Sequence, residues 1–175
     1  MATPRNRCIT VDPGGRIDHR RDSIEEAATM TVATLLRTKA DEVRTVRPWA
    51  SVAEAVRLLG VRPRVGALVV TGEGERVLGI VGEREIVRAL GERGAALLDA
   101  SVENVMSRQI PTCAPGDTLG SVMGTMTVSR FRHIPVLDGH RLVGLVSIGD
   151  VVHARLKDTE LEAAVLRDMV ISRRG

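Results

Sequence analysis

Near its carboxyl end the chain reads Gly144-Leu-Val-Ser147-Ile-Gly149-Asp150. The apolar run up to Val146 predicts a strand, and the residues after Ser147 predict a helix. Ser147 then stands at the strand end and Asp150 three residues on, in the first turn of the helix, with both side chains facing one crevice. The free N–H groups and positive dipole end of a helix N-terminus suit a phosphate. Ser147 can add a hydroxyl donor to that phosphate, Gly149 permits close backbone approach, and the Asp150 carboxylate can accept hydrogen bonds from two vicinal ribose hydroxyls. The same residues also make an ordinary helix cap, with Ser147 at the N-cap and Asp150 favouring the dipole. At the level of this motif both readings stay open.

The other reactive side chains lack partners at useful spacing. His19, His140 and His153 are isolated, so no metal site is expected. No Ser-His-Asp or Cys-His order points to nucleophilic catalysis, and no enzyme is expected. Gly72-Glu-Gly-Glu75 has no Lys-Ser/Thr after it and reads as a hairpin loop, not a phosphate loop. Met106, Met123 and Met126 fall at helical core spacing and read as packing. Two cysteines, Cys8 and Cys113, make neither a disulfide framework nor a zinc site. The first thirty residues hold no apolar h-region, so the reduced cytoplasm is the expected compartment.

The elements that must position Ser147 and Asp150 occur twice. Thr31–Arg37 pairs with Ser101–Ser107, Thr45–Pro48 with Thr112–Pro115, and Ser51–Val56 with Thr118–Met123. Arg64–Val70 pairs with Arg130–Val136, and Arg76–Val81 with Arg141–Val146. Few positions are identical; the order of landmarks repeats. Each copy predicts β-α-β-β-α: a short strand at Thr45 or Thr112, a helix capped by Ser51 or Thr118, strands at 65–70 and 77–81 or at 132–137 and 142–146, and a helix at 83–91 or 149–157. One such unit is too small to bury both faces of its sheet, whereas two packed face to face share a core. The division expected is an N-terminal arm, partly disordered, at 1–30, with at most a helical turn at Ser23–Met30; a first repeat at 31–97; a second at 98–158; and a C-terminal helical extension at 159–175.

Composition narrows the partners. The 175 residues are 43% apolar and 27% charged, an ordinary globular balance. Trp49 and Phe131 are the only aromatics, which argues against binding single-stranded nucleic acid by base stacking. Basic residues number 25 against 22 acidic ones, a net +3 spread along the chain, so nucleic acid is not an expected partner. The basic side is nearly all arginine, Lys39 and Lys157 being the only lysines. The apolar runs are too short to span a bilayer.

The doubled β-α-β-β-α order, with His133-Ile-Pro-Val136 followed by Gly144-Leu-Val-Ser147-Ile-Gly-Asp150, resembles a pair of cystathionine-β-synthase (CBS) domains, or Bateman module, over about residues 31–157. The likeness is to small stand-alone bacterial CBS-domain proteins. It implies an α/β fold of two repeats related by a pseudo-two-fold axis, a regulatory and non-catalytic role, and an adenosyl ligand such as AMP, ADP, ATP, NAD or S-adenosylmethionine. By the same resemblance Arg132 and His133 point into the cleft and meet phosphates. Backbone groups of Ile110, Pro111, Thr112, Ile134 and Pro135 contact the adenine over an aliphatic floor, since no aromatic is at hand to stack. Ser147 and Asp150 complete the site.

Copy one departs from this pattern at several points. Gly82 stands where the hydroxyl belongs, Glu85 where the Asp belongs, and Gly66-Ala67 where the basic pair belongs. With Thr45 these make a first site expected to be weak or vestigial, although Arg84 is placed to reach a phosphate across the central cleft. The expected function is an adenine-nucleotide sensor acting through a partner protein or through its own assembly, a homodimer. A dimeric scaffold without ligand is the alternative, and an arginine-mediated nucleic-acid association a third reading.

Overall fold

The computed structural model describes residues 30–39, 43–61 and 65–157. The expected arm (apart from Met30), its helical turn, and the C-terminal extension lie outside the described residues. The first repeat comprises α1 (Val32–Thr38), β1 (Thr45–Val46), α2 (Val52–Gly60), β2 (Ala67–Thr71), β3 (Val77–Gly82) and α3 (Glu83–Arg93). Short 3-10 turns at Gly94–Asp99 and Val102–Asn104 lead into the second repeat. That repeat holds α4 (Leu119–Ser129), β4 (His133–Asp138), β5 (Arg141–Ser147) and a helix, α5, that starts at residue 148 and is described through 157.

The expected caps hold. Ser51 accepts from the amide of Glu54 and Thr118 from that of Ser121, each relieving one orphan donor of its helix. In the first sheet β1 runs parallel to β2 and β3 antiparallel to it, with Ala67 opposite Gly82. All five residues of β2 are buried, which is why it reads as an unbroken apolar run. In the second sheet β4 and β5 pair antiparallel, with His133 opposite Ser147. The strand expected at Thr112 is a single parallel bridge, Cys113 to Val136. Pro111, two residues before Cys113, has no N–H to extend the ladder. The strands expected to begin at 65 and 132 begin at Ala67 and His133.

The tandem architecture is borne out, with one feature the chain order does not show. Val32 and Leu35, from the start of the first repeat, pack in the second core with Leu119, Val122, Ile134, Val136 and Val146. Leu97, Val102, Val105 and Met106, from the connection, pack in the first core with Val52, Leu68, Val70 and Val81. Matching hydrogen bonds fasten both exchanges. The Val32 amide donates to the Asp117 carbonyl at 2.9 Å, and the Val102 amide donates to that of Ala50 at 2.8 Å. The division expected at 97/98 follows the landmarks along the chain; the packing crosses it.

The connection also closes on β3. Ile80 and Ser107 exchange backbone hydrogen bonds of 3.0 and 2.9 Å, and a Cβ added at Gly79 would collide with the Ser107 carbonyl oxygen. Backbone cannot yield as a side-chain tip can. Gly79→Ala is therefore expected to destabilise by about 1–3 kcal/mol in urea unfolding. Gly60→Ala, where an added Cβ meets nothing within 4 Å, should be neutral or slightly stabilising.

Candidate functional site

At the β5–α5 junction the side chains expected to share a crevice touch. Asp150 Oδ2 accepts from the Ser147 backbone N–H at 2.8 Å and from its hydroxyl at 2.7 Å, and the Asp150 amide donates back to the hydroxyl at 3.2 Å. This is a reciprocal cap of the kind that Ser and Asp at this spacing form. It directs the Ser147 hydroxyl hydrogen to Asp150, so donation to a phosphate would require that hydrogen to be released.

A third donor reaches the same oxygen from the far end of the sequence. Lys39 Nζ lies 2.8 Å from Asp150 Oδ2 and donates also to the Leu145 carbonyl at 3.2 Å. Lys39 follows α1, which the core exchange lays against β5. The sequence reading missed it. Its one signal was its rarity, a lysine in a chain that otherwise uses arginine up to Lys157. Burial by itself would raise the Asp150 carboxyl. The hydrogen bonds from Lys39 and Ser147, with the Lys39 charge, outweigh it and hold the group below its ordinary 3.8. Asp150 is thus ionised at neutral pH. Its side chain is 22% exposed, and its Oδ1 takes no hydrogen bond among the described residues.

Around this carboxylate, His133 opens β4 directly opposite Ser147, and the exposed Arg132 precedes it. Ile110, Pro111 and Thr112 are partly buried and run up to Cys113, whose amide donates to the Pro135 carbonyl. The buried Ile134 and Pro135 stand in β4 beside that bridge. The segments expected to flank an adenine are therefore neighbours.

The corresponding place in the first repeat is built differently. Glu85 Oε2 accepts from the Gly82 N–H at 3.1 Å, and Glu85 Oε1 accepts from the Ser107 hydroxyl at 3.3 Å. Ser107 thus supplies from the connection a hydroxyl where copy one has none at residue 82. Gly82 itself has no room: an added Cβ would stand 2.8 Å from the Gly66 carbonyl oxygen. His133 lies over Gly66, with ring atoms 2.6 Å from where a Cβ would be.

A cavity of about 140 Å³ opens between the two repeats. Gly66, Ala67, Gly82, Arg84 and Glu85 of the first repeat line it together with Arg130, Phe131, Arg132 and His133 of the second. Arg84 therefore faces the basic residues of copy two. Phe131 borders this cleft, whereas Ile110, Pro111, Thr112, Ile134, Pro135, Ser147 and Asp150 of the expected second site do not line it. Thr45 lies elsewhere, lining a shallow depression with Arg47 and Trp49. Among the described residues no cluster of three metal-ligating side chains occurs, and no helix is long and apolar enough to cross a membrane.

Two small α/β units meet at a shared crevice, and an ionised carboxylate stands at the start of the last helix of the second. The chain belongs to the CBS-domain family: the CBS domain matches residues 32–92 and again 102–157. It is 38% identical over 94 residues to the mitochondrial CBS domain-containing protein CBSX3 of Arabidopsis thaliana, a match covering 51% of this chain and 46% of that one. The chain thus spans less than half the length of that relative. A crystal structure of a CBS-domain protein from Agrobacterium tumefaciens is 42% identical, with a TM-score of 0.69 over 74% of this chain and 96% of that one. CBSX2, solved in complex with AMP, shares the fold at 23% identity, with a TM-score of 0.59 over 74% and 98% of the two chains.

Burial pulls the His133 imidazole below its ordinary 6.5; Lys39 and Arg132 pull the same way, against Asp150 and Glu85. The folded protein then binds this proton less readily than the unfolded chain. Stability is fully present above pH 6.5 and falls as the pH drops below it towards the folded value, by at most about 1.4 kcal/mol per pH unit. His133→Gln should flatten that limb in denaturant titrations run at stepped pH. An unchanged slope would place His133 in water.

Proposed function

We propose that the second repeat binds an adenine nucleotide of the AMP, ADP, ATP or NAD class, and that the protein works as a regulatory module without catalysing a reaction. One observation carries this reading: an ionised, part-exposed Asp150 at the start of α5, with one carboxylate oxygen fixed by donors and the other unbonded among the described residues. Such a group suits ribose hydroxyls, and the helix N-terminus with Arg132 suits a phosphate. His133 enters neutral, as a single N–H donor. Ile110, Pro111, Thr112, Ile134 and Pro135 form the wall for the base. AMP in CBSX2 is a property of CBSX2; at that identity it supports the choice of ligand class only in combination with the Asp150 geometry.

Repeat one lacks these donors, and the capping of Glu85 by Gly82 and Ser107 leaves it a structural role. The signal passes to a separate effector protein or through assembly as a homodimer. Exposed apolar side chains on the outer helices, Val87 and Leu90 of α3 with Val152 and Leu156 of α5, are the surface for that pairing. Light scattering at micromolar concentration should give twice the chain mass.

Isothermal titration should find one tight site per chain. A hydrogen bond to a charged group contributes about 1.5–3 kcal/mol, and about 1.4 kcal/mol is tenfold in affinity. Asp150→Asn should therefore weaken AMP binding by about tenfold or more, while Glu85→Gln changes it little. Two equal sites, or an Asp150→Asn variant that binds AMP as the parent does, would overturn the assignment.

A further inference from the structure

We propose that Lys39 is a latch on the Asp150 carboxylate, released when a ribose bearing both hydroxyls binds, and that it thereby sets how strongly the site prefers ribose over 2′-deoxyribose. The proposal rests on the nucleotide reading above and names a regulatory residue of that site. A carboxylate oxygen has two lone pairs, and Asp150 Oδ2 already serves three donors: the Ser147 N–H, the Ser147 hydroxyl and Lys39 Nζ, all at 2.7–2.8 Å. Oδ1 can take a hydroxyl of a sugar, and the latch commits the vicinal hydroxyl to Oδ2. Holding a vicinal diol across both oxygens requires a donor to leave Oδ2.

The Ser147 N–H cannot leave, because it is part of the backbone at the strand end. Its hydroxyl is held twice, donating to Asp150 and accepting from the Asp150 amide. Lys39 is the donor free to go. It sits on a flexible stem, its side chain is about one-fifth exposed, and it has a second acceptor within reach in the Leu145 carbonyl. A full diol therefore displaces an ion pair, whereas a 2′-deoxy sugar, offering one hydroxyl to Oδ1, does not. Part of what the second hydroxyl gains is offset by what Lys39 loses.

The test compares AMP with 2′-deoxy-AMP by titration calorimetry on the wild type, Lys39→Met and Lys39→Arg. Removing the ammonium alters phosphate attraction equally for both ligands, so that effect cancels in the ratio of their dissociation constants. The latch requires the ratio to rise in Lys39→Met by about three- to tenfold, the scale of one hydrogen bond. It should return towards the wild-type value in Lys39→Arg. A ratio in Lys39→Met that is unchanged or lower overturns the latch while leaving the nucleotide reading intact; failure of the wild type to bind either nucleotide overturns both.

Should Lys39→Met not fold, the wild type still decides the matter, because it contains only two lysines. In ammonium-detected NMR the Lys39 signal should shift or broaden on saturation with AMP and stay in place with 2′-deoxy-AMP. Lys157 serves as the control. A Lys39 signal indifferent to AMP overturns the latch.

Discussion

Neither half of this protein closes its own core. A sheet of two or three strands with two helices leaves a flank open, and the chain fills each flank with a segment that lies outside the unit's strands and helices in sequence. Val32 and Leu35 complete the second core; Leu97, Val102, Val105 and Met106 complete the first. The chemistry near both helix starts follows from this constraint. Because α1 lies on β5, with Leu36 against Gly144, Lys39 arrives beside Asp150. Because the connection pairs with Ile80, Ser107 arrives beside Glu85. The corresponding segments thus deliver an ammonium to one carboxylate and a hydroxyl to the other.

The second asymmetry sits where the repeats meet. β2 and β4 are equivalent strands, and Gly66, just before β2, approaches His133, the first residue of β4. Two bulky side chains cannot share that space. His133 occupies it and Gly66 yields it; separately, the β2–β3 pairing leaves the Gly66 carbonyl too close to Gly82 for a side chain there. The contact that excludes a side chain at Gly82 is with backbone, which cannot yield, whereas the one at Gly66 is with the tip of the His133 ring. The cavity at the meeting line still carries Arg84, Arg130 and Arg132, so the charge absent from copy one is supplied in part by its neighbour.

Much of this was legible in the sequence because it is local. Ser51 and Thr118 announce their helices by capping chemistry, the apolar runs announce buried strands, and the doubled order of landmarks announces the architecture. The Ser147–Asp150 contact was legible for the same reason, since three residues at a strand-to-helix junction fix it. What escaped was long-range. Lys39 and Asp150 are 111 residues apart, and Ser107 and Glu85 are 22 apart across a turn of unpredictable path. Phe131 escaped differently. Its type was counted, but its place beside the cleft depends on how the two repeats dock.

The two readings that the Ser147–Asp150 motif left open in the sequence are not rivals in the structure. A cap needs one acceptor, and the cap here uses only Oδ2. A ribose subsite needs a carboxylate that stays charged, is held in one orientation, and keeps an acceptor outward. The capping bonds provide the orientation, Lys39 helps keep the charge against the cost of burial, and Oδ1 remains outside both. Glu85 shows the contrast. Its cap engages Oε2 and Ser107 engages Oε1, so each oxygen holds a protein donor and neither is wholly unbonded, as Oδ1 of Asp150 is among the described residues. Under the ribose assignment proposed above, the distribution of donors between the two oxygens of Asp150 is set locally by Ser147 and at long range by Lys39, which lies beside the segment the second core borrows.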